Sequence, residues 1–203
     1  MNQRPKFRRD GAELWIAAAY ANLVEDGHGG LTVEKLTART GKTRGSFYHH
    51  FGSHDGFVDS FLDDWRQQNT DRIERLIAAD PEPRKRRAVL NREASWLDTR
   101  VETAIRRWAG ANQIVAAVCR EVDRRRMDVI ARDLVAIAES EGVRLAPEQA
   151  HALALADYAM FLGAQMLAPD GVLAALPDVA SVIDEMLDAY FLHLKRAIRI
   201  KTV

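Results

Sequence analysis

Two short helical segments joined by a tight turn constrain this chain more than any other feature of its sequence. After a pair of glycines, Thr32 begins the run Thr-Val-Glu-Lys-Leu-Thr-Ala-Arg-Thr, which Gly41 ends. Thr43 then begins a second run, Arg-Gly-Ser-Phe-Tyr-His-His-Phe, which ends at Phe51. Threonine is a favourable helix N-cap and glycine a favourable helix stop. The spacing predicts a helix-turn-helix, a motif whose second helix lies in the major groove of DNA.

The remaining pattern is helical as well, because apolar residues recur at helical spacing and no run alternates between apolar and polar residues as a strand would. We therefore predict an all-α fold of about nine helices, with a three-helix bundle joined to a larger helical domain. The core stripe expected for helix one, which should begin at Asp10, is Leu14, Ile16, Ala18, Leu23 and Val24. A long helix four should begin after Ser53 and stop at Pro81 and Pro83. Its expected apolar residues are Phe57, Val58, Phe61, Leu62, Trp65, Ile73 and Leu76. Later helices are expected at 84–98, 101–111, 113–141, 147–167 and 178–200.

The predicted domains are an amino-terminal helix-turn-helix domain with a basic arm, residues 1–52, and a carboxy-terminal domain, residues 53–203. Acidic and basic residues are balanced over the whole chain, 29 of each. Residues 1–50, however, hold eight Lys and Arg against five Asp and Glu, a surplus of three positive charges. Because phosphate binding requires local positive charge, this end of the chain is the one that suits a nucleic acid.

The cysteine count and the lack of long apolar segments indicate the cellular compartment. A single cysteine, Cys119, excludes an internal disulfide framework and fits a reducing environment. The amino terminus lacks an apolar stretch of signal-peptide length, and no window approaches the roughly 18 apolar residues of a membrane span. We expect a cytoplasmic protein without a membrane partner, and no cofactor or metal is predicted.

The residue types in the motif suit DNA binding. Thr32 and Thr43 would present hydroxyls and helix amino termini to phosphate oxygens, and Lys42 lies in the turn beside them. Arg44 could donate two bonds to guanine, while Gly45 lets the backbone approach the duplex. The same outward surface would carry Ser46, Tyr48 and His49, and the inward anchors would be Phe47 and Phe51.

These two runs, continued by Gly-Ser-His-Asp at residues 52–55, resemble the DNA-binding signature of the TetR (tetracycline repressor-like) family. The resemblance implies a three-helix DNA-binding domain, a linking fourth helix, and a divergent helical domain that binds a small-molecule effector and forms a homodimer through its last two helices. It implies a transcriptional regulator, a repressor, that binds a palindromic operator in double-stranded DNA. Carried over by position, Thr32, Thr43 and Tyr48 would contact phosphates. The residues facing bases would be Arg44, Gly45, Ser46 and His49.

Two positions depart from the family pattern. Lys42 stands where the family usually has an apolar residue, so its stem would cover the core while its amine stays in solvent. His54 stands where a lysine often opens helix four and contacts phosphate. Because a neutral imidazole is a weaker anion ligand than an ammonium, we expect operator affinity to rise as the pH falls toward the histidine range.

The effector site is predicted from aromatic residues, since ligand pockets are mainly apolar. The candidates are Phe61, Trp65, Trp96, Trp108, Cys119 and Phe161. The same residues could instead fill the hydrophobic core, and Cys119 could be a small buried hydrophobe or a thiol sensor.

The sequence also leaves two other classes of function open. A small all-α metal-dependent enzyme would use the cluster His49, His50 and His54, although the Gly52-Ser53 break interrupts the continuous helix that ligands four residues apart require. A helical dimerisation module would use the helix-turn-helix for protein contacts, and salt-independent DNA affinity would favour it.

Overall fold

The structure, a computed structural model, describes residues 11–167 and 176–201. Within these residues the regular structure is helical throughout, which confirms the all-α prediction. The helices are α1 (Ala12–Asp26), α2 (Val33–Thr40), α3 (Arg44–Phe51), α4 (His54–Arg66), α5 (Arg72–Ala78), α6 (Pro83–Ser95), α7 (Thr99–Ala109), α8 (Gln113–Ser140), α9 (Pro147–Leu167) and α10 (Leu176–Lys201). A 3₁₀ turn, Gly27–Gly30, follows α1, and a π-helical turn, Gln67–Asp71, joins α4 to α5.

The chain packs as two compact units. The first comprises the residues up to Gln68 together with Arg100–Cys119, and the second comprises Asn69–Thr99 together with the chain from Arg120 onward. The predicted boundary after residue 52 divides the chain by function rather than by packing, and it stays a prediction. The expected start of helix one at Asp10 and the basic arm lie outside the described residues.

Helix α1 buries only part of the predicted stripe, because Ala18 and Leu23 are buried as expected but Leu14 is not. Leu14 is 46% exposed, whereas Trp15 is 1% exposed and forms a stripe with Ala18, Ala19, Asn22 and Leu23. These positions follow the i, i+3, i+4 spacing of one helix face, and the predicted set did not. Asn22 is buried because its side-chain amide donates to the Gly30 carbonyl oxygen at 2.8 Å. A satisfied polar residue thus occupies a core position.

The long fourth helix contains the π-helical turn where the sequence predicted a regular helix. A π turn holds one more residue than an α turn, so it rotates the positions that follow it. Ile77 is therefore buried at 4% exposure, and Leu76, the predicted core residue, is 44% exposed. Ile73 is buried as expected.

Each unit has its own apolar core. In the first unit an aromatic cluster joins α1, α3 and α4 through Trp15, Phe47, Phe57 and Phe61. In the second unit the core lies among α8, α9 and α10, where Leu134, Ala154 and Phe191 are almost fully buried. Among the helices that the structure describes, none combines the length and apolar character needed to span a membrane.

Candidate nucleic-acid interface and ligand cavity

Two phenylalanines anchor α3. Phe47 is fully buried and Phe51 is 3% exposed, which confirms that both point inward. The Phe47 ring packs edge-on against Trp15 of α1, with ring centroids 5.3 Å apart, and against Phe57 of α4 at 5.2 Å. Burying a phenylalanine side chain contributes about 1.5–3 kcal/mol. These contacts fix which face of α3 points to solvent.

The two predicted N-caps are present in the structure. The Thr32 hydroxyl oxygen accepts from the Lys35 backbone N–H at 3.3 Å, and the Thr43 hydroxyl oxygen accepts from the Ser46 backbone N–H at 3.2 Å. Gly41 ends α2 in the left-handed conformation, with φ of 66°. Since a capping hydroxyl keeps its own hydrogen, each threonine can still donate to a phosphate oxygen. The two helix amino termini therefore carry donors suited to phosphate.

The outer surface of the motif is open to solvent. Of the nine residues predicted to contact DNA, eight are exposed and Ser46 is half-buried. The exposed set is Thr32, Lys42, Thr43, Arg44, Gly45, Tyr48, His49 and His54. Exposure is necessary for DNA contact, and whether these residues make it stays a prediction.

Arg44, the first residue of α3, forms an ion pair with a residue that the sequence reasoning did not consider. Its Nη1 lies 2.9 Å from Oε1 of Glu34 in α2, and both side chains are more than 60% exposed. An exposed pair of this kind is weak and exchanges readily with other partners. The pair therefore leaves the Arg44 guanidinium able to change partners.

The other basic side chains around the motif differ in whether a carboxylate already pairs with them. Lys35 pairs with Asp26 at 2.8 Å, which lowers the pKa of Asp26 through a hydrogen bond and the lysine charge. Arg39 pairs with Glu25. Lys42 is exposed and pairs with no carboxylate in the described part of the chain, so its ammonium is available to a phosphate.

His54 has one ring nitrogen already engaged. Its Nε2 donates to the Leu31 carbonyl oxygen at 2.9 Å, at the residue before the Thr32 cap. The ring also packs on Phe57, with centroids 5.9 Å apart. Only Nδ1 is left to meet a phosphate, and Nδ1 can donate only when the ring is protonated. Whether His54 contacts a phosphate stays a prediction.

The histidine cluster does not assemble as a metal centre. The His49 and His50 rings lie edge to face, with centroids 5.6 Å apart, and His54 is held by Leu31. Within the ranges 11–167 and 176–201, no three His, Cys, Asp or Glu side chains are grouped so that they could hold a metal ion. The metal-dependent alternative gains no support from this geometry.

The second unit contains a cavity of about 840 Å³, its solvent-open mouth included. Its walls are mostly apolar and come from α5, α6, α8, α9 and α10, through residues such as Ile73, Leu90, Val129, Phe161 and Ile183. The π-helical turn contributes Asn69 and Thr70. A mainly apolar pocket with a few polar groups is typical of small-molecule sites.

The polar wall of this cavity is built around buried charge. Arg87 is 5% exposed, and its Nη1 donates to Asp157 at 2.7 Å while its Nε donates to Asp184. Burial alone would lower the pKa of Arg87, but the two carboxylates raise it above its ordinary value. Arg87 is thus charged throughout the accessible pH range and holds Asp157 in the cavity wall.

The six residues predicted to line an effector site are divided by the structure. Phe161 lines the cavity. Phe61, Trp65, Trp108 and Cys119 are buried in the first unit and line no part of this cavity. Trp96 is 81% exposed at the end of α6, between the lining residues Ser95 and Leu97. Core packing was the open alternative for the four buried residues, and it describes their placement here.

Sequence reasoning missed the charged wall of the cavity. Asp157 is the one Asp, Glu, Lys or Arg in the apolar run from Ala150 to Leu167, and a lone charge in such a run is a signal that a partner exists. The partner, Arg87, is 70 positions away in the sequence and belongs to the basic run Arg-Lys-Arg-Arg at residues 84–87. Its burial could not be inferred without the fold.

Together, the two short helices with an exposed second helix and the larger helical unit with its cavity define a helix-turn-helix protein of the transcription-regulator class. The profile of the family described as bacterial regulatory proteins, tetR family, matches residues 16–61. The part of the chain that carries the helix-turn-helix is therefore similar to the bacterial regulatory proteins of the tetR family.

Solved structures share the fold over nearly the whole chain. A TetR transcription regulator from Haloarcula marismortui aligns with a TM-score of 0.73 at 20% identity, covering 90% of this chain and 98% of its own. A candidate transcriptional regulator from Pseudomonas aeruginosa PAO1 aligns with a TM-score of 0.74 at 19% identity, covering 97% and 99%. No curated protein sequence matches the chain significantly. At these identities the likeness concerns the fold, and the effector and the operator have to be inferred from the residues of this chain.

Proposed function

We propose that this protein is a TetR-family repressor that binds a palindromic operator as a homodimer and is released by a small-molecule effector. Residues 1–52 would bind the DNA, and residues 53–203 would bind the effector and form the dimer. The observation that carries the proposal is the arrangement of α3. Its inner face is fixed by Phe47 and Phe51, and its first residue, Arg44, is exposed and held only by a weak ion pair.

The roles within the interface follow from chemistry. Thr32, Thr43 and Tyr48 would donate to phosphate oxygens, with Lys42 and His54 adding charge at the backbone. The base edges would meet Arg44, Gly45, Ser46 and His49, and a bidentate arginine contact to guanine discriminates by about 1–3 kcal/mol. Affinity would then depend on the phosphate contacts and sequence preference on α3.

The effector role of the second unit is supported by its cavity, which combines apolar walls with a small number of polar groups. Asn69 and Thr70 line the cavity and are also part of the π-helical turn. A ligand in the cavity would therefore change the stability of that turn. That turn is covalently continuous with α4, so a change in its geometry would bear on the DNA-binding end.

Dimer formation is supported by apolar side chains left exposed on the last two helices. On α9 the exposed residues Ala152, Leu155, Ala156 and Ala159 follow helical spacing. On α10 the exposed apolar residues are Val182, Met186, Ala189 and Leu192. Contiguous apolar stripes of this kind are typical of subunit interfaces.

Substitution of Arg44 tests the proposal directly. DNA fragments are first selected from a random pool by the wild-type protein, and the affinities of wild type and Arg44→Ala for the selected fragment are compared. We expect a loss of about 1–3 kcal/mol together with weaker discrimination against other sequences. Affinity that falls steeply with salt concentration is expected for both proteins.

A matched control is Arg124→Ala on α8. Arg124 is 60% exposed and pairs with Glu121 and Asp128, so it resembles Arg44 in exposure and pairing. The control variant should bind the selected fragment as the wild type does. Equal binding by Arg44→Ala and the wild type would refute the assignment of α3 as the reading helix.

A further inference from the structure

The cavity of the second unit has an unequal number of positive and negative groups around its polar wall. Arg87 is shared by two carboxylates, Asp157 in the wall and Asp184 beside it. The arrangement is repeated at Arg125, whose Nη1 pairs with Asp71 at 2.7 Å and whose Nη2 pairs with Glu74, the second carboxylate in the wall. In both groups two carboxylates share one guanidinium. Within the Arg87 group, the carboxylates therefore outnumber the guanidinium by one.

Each wall carboxylate also keeps an oxygen for a ligand. Asp157 uses Oδ2 for Arg87, and Glu74 uses Oε2 for Arg125. Asp157 Oδ1 and Glu74 Oε1 accept no hydrogen bond within the described residues. Because an ionised carboxylate can accept several hydrogen bonds, these oxygens are suited to a donor that enters the cavity.

The arginine among the lining residues is poorly placed to receive an anion. Arg126 donates from Nε to the Thr70 hydroxyl at 3.1 Å and from Nη1 to the Tyr158 hydroxyl at 3.1 Å. Its Nη2 lies 3.4 Å from the Asn69 carbonyl oxygen. The Tyr158 hydroxyl in turn donates to Asp123 at 2.7 Å. An anionic ligand would have to break these bonds and approach two wall carboxylates.

We propose that the cavity binds an amphipathic organic cation, in which an apolar or aromatic body carries one protonated amine. The inference rests on the effector role proposed for the same cavity. The ammonium would lie between Asp157 and Glu74, and the body would lie against the apolar wall. Phe161 and Tyr158 add aromatic rings to that wall, and aromatic rings favour a nearby cation.

Three probes with the same ring system distinguish the charge preference: 2-naphthylmethylammonium, 2-naphthylmethanol and 2-naphthoate. Their binding to the full-length protein is measured by titration calorimetry at neutral pH without DNA. We expect the ammonium to bind about tenfold more tightly than the alcohol, and the carboxylate to bind most weakly. Equal or tighter binding of the alcohol or the carboxylate would overturn the proposal, and so would the absence of binding by all three.

Glu74→Gln locates the preference at this cavity, because it removes one wall charge while keeping the shape. The ammonium should lose most of its advantage over the alcohol in this variant. The matched control is Asp133→Asn, which removes a 7% exposed carboxylate that pairs with Arg86 at 2.7 Å and does not line the cavity. An advantage that persists in Glu74→Gln, or that is lost equally in Asp133→Asn, would refute the assignment.

The experiments distinguish a failure of the cation site from a failure of the proposed regulatory function. If the ammonium binds with the expected preference but leaves operator affinity unchanged, the cation site stands and the effector role fails. If no probe binds while Arg44→Ala still weakens operator binding, the cation site is refuted and the DNA-binding role stands.

Discussion

At the scale of single residues, the ion pair between Arg44 and Glu34 gives the sharpest prediction. Glu34 holds the guanidinium that is proposed to read a base, and its negative charge lies on the surface proposed to face DNA. We predict that Glu34→Gln binds the selected DNA fragment about twofold to fivefold more tightly, because an exposed pair contributes less than about 1 kcal/mol. Fluorescence anisotropy at fixed salt concentration measures this change.

The pairing itself is tested by a double-mutant cycle. If Glu34 acts by restraining Arg44, the Glu34→Gln effect should shrink in the Arg44→Ala background. An effect of the same size in both backgrounds would mean that Glu34 acts only through its charge on the DNA. A loss of affinity in Glu34→Gln would contradict a competition between Glu34 and DNA for Arg44.

The residue scale is also where the sequence predicted most of the motif and missed its partners. Thr32, Thr43, Phe47 and Phe51 were assigned correctly because capping and inward anchoring depend on neighbours within a few positions. Glu34 was missed as a partner of Arg44 because the two helices must first be folded against each other. Helix caps and inward-facing anchors can be predicted from neighbouring residues in the sequence, whereas ion pairs between helices depend on how the helices pack.

At the scale of elements, a hydrogen bond joins α1 to α4. The Tyr20 hydroxyl donates to Asp64 Oδ2 at 2.9 Å, and the Tyr20 ring lies 4.8 Å from the Phe61 ring. We predict that Tyr20→Phe lowers the free energy of unfolding at pH 7 by about 1.5–3 kcal/mol, the range for a hydrogen bond to a charged group. Urea denaturation followed by circular dichroism measures the difference.

The contribution of Tyr20 should also depend on pH in a defined direction. Burial, and then the charge and hydrogen bond of Asp64, raise the pKa of Tyr20 well above its ordinary value. A raised pKa in the folded state means that the stabilisation is fully present below about pH 10 and is lost as the pH rises beyond it. By pH 11 the advantage of the wild type over Tyr20→Phe should have fallen by about 1.4 kcal/mol. An advantage that is constant between pH 7 and pH 11 would contradict this.

The π-helical turn shows why elements are harder to predict than residues. Apolar spacing placed Leu76 on the core face of a regular helix, but the extra residue of Gln67–Asp71 turned Ile77 inward instead. The turn carries no proline or glycine that would mark it in the sequence. Arg126 of α8 donates to the Thr70 hydroxyl in this turn. This partner of the turn is 56 positions away in the sequence.

At the scale of the whole molecule, the proposed dimer sets the requirement for operator binding. Two reading helices must meet successive major grooves about one duplex turn, roughly 34–36 Å, apart. One subunit would make only half of the phosphate contacts, so loss of the dimer should cost far more affinity than loss of any one side chain. The oligomeric state and operator affinity should therefore change together.

Met186→Glu tests this link. Met186 is 55% exposed on α10, and a carboxylate there would be buried in the proposed interface without a partner. We predict that the variant sediments as a monomer and loses affinity for the palindromic fragment by about tenfold or more.

The matched control is Ile114→Glu on α8, where an equally apolar side chain is 59% exposed in the first unit. That variant should stay dimeric and keep its affinity. A dimeric Met186→Glu would move the interface away from this face of α10, and monomers of Ile114→Glu would move it to the start of α8.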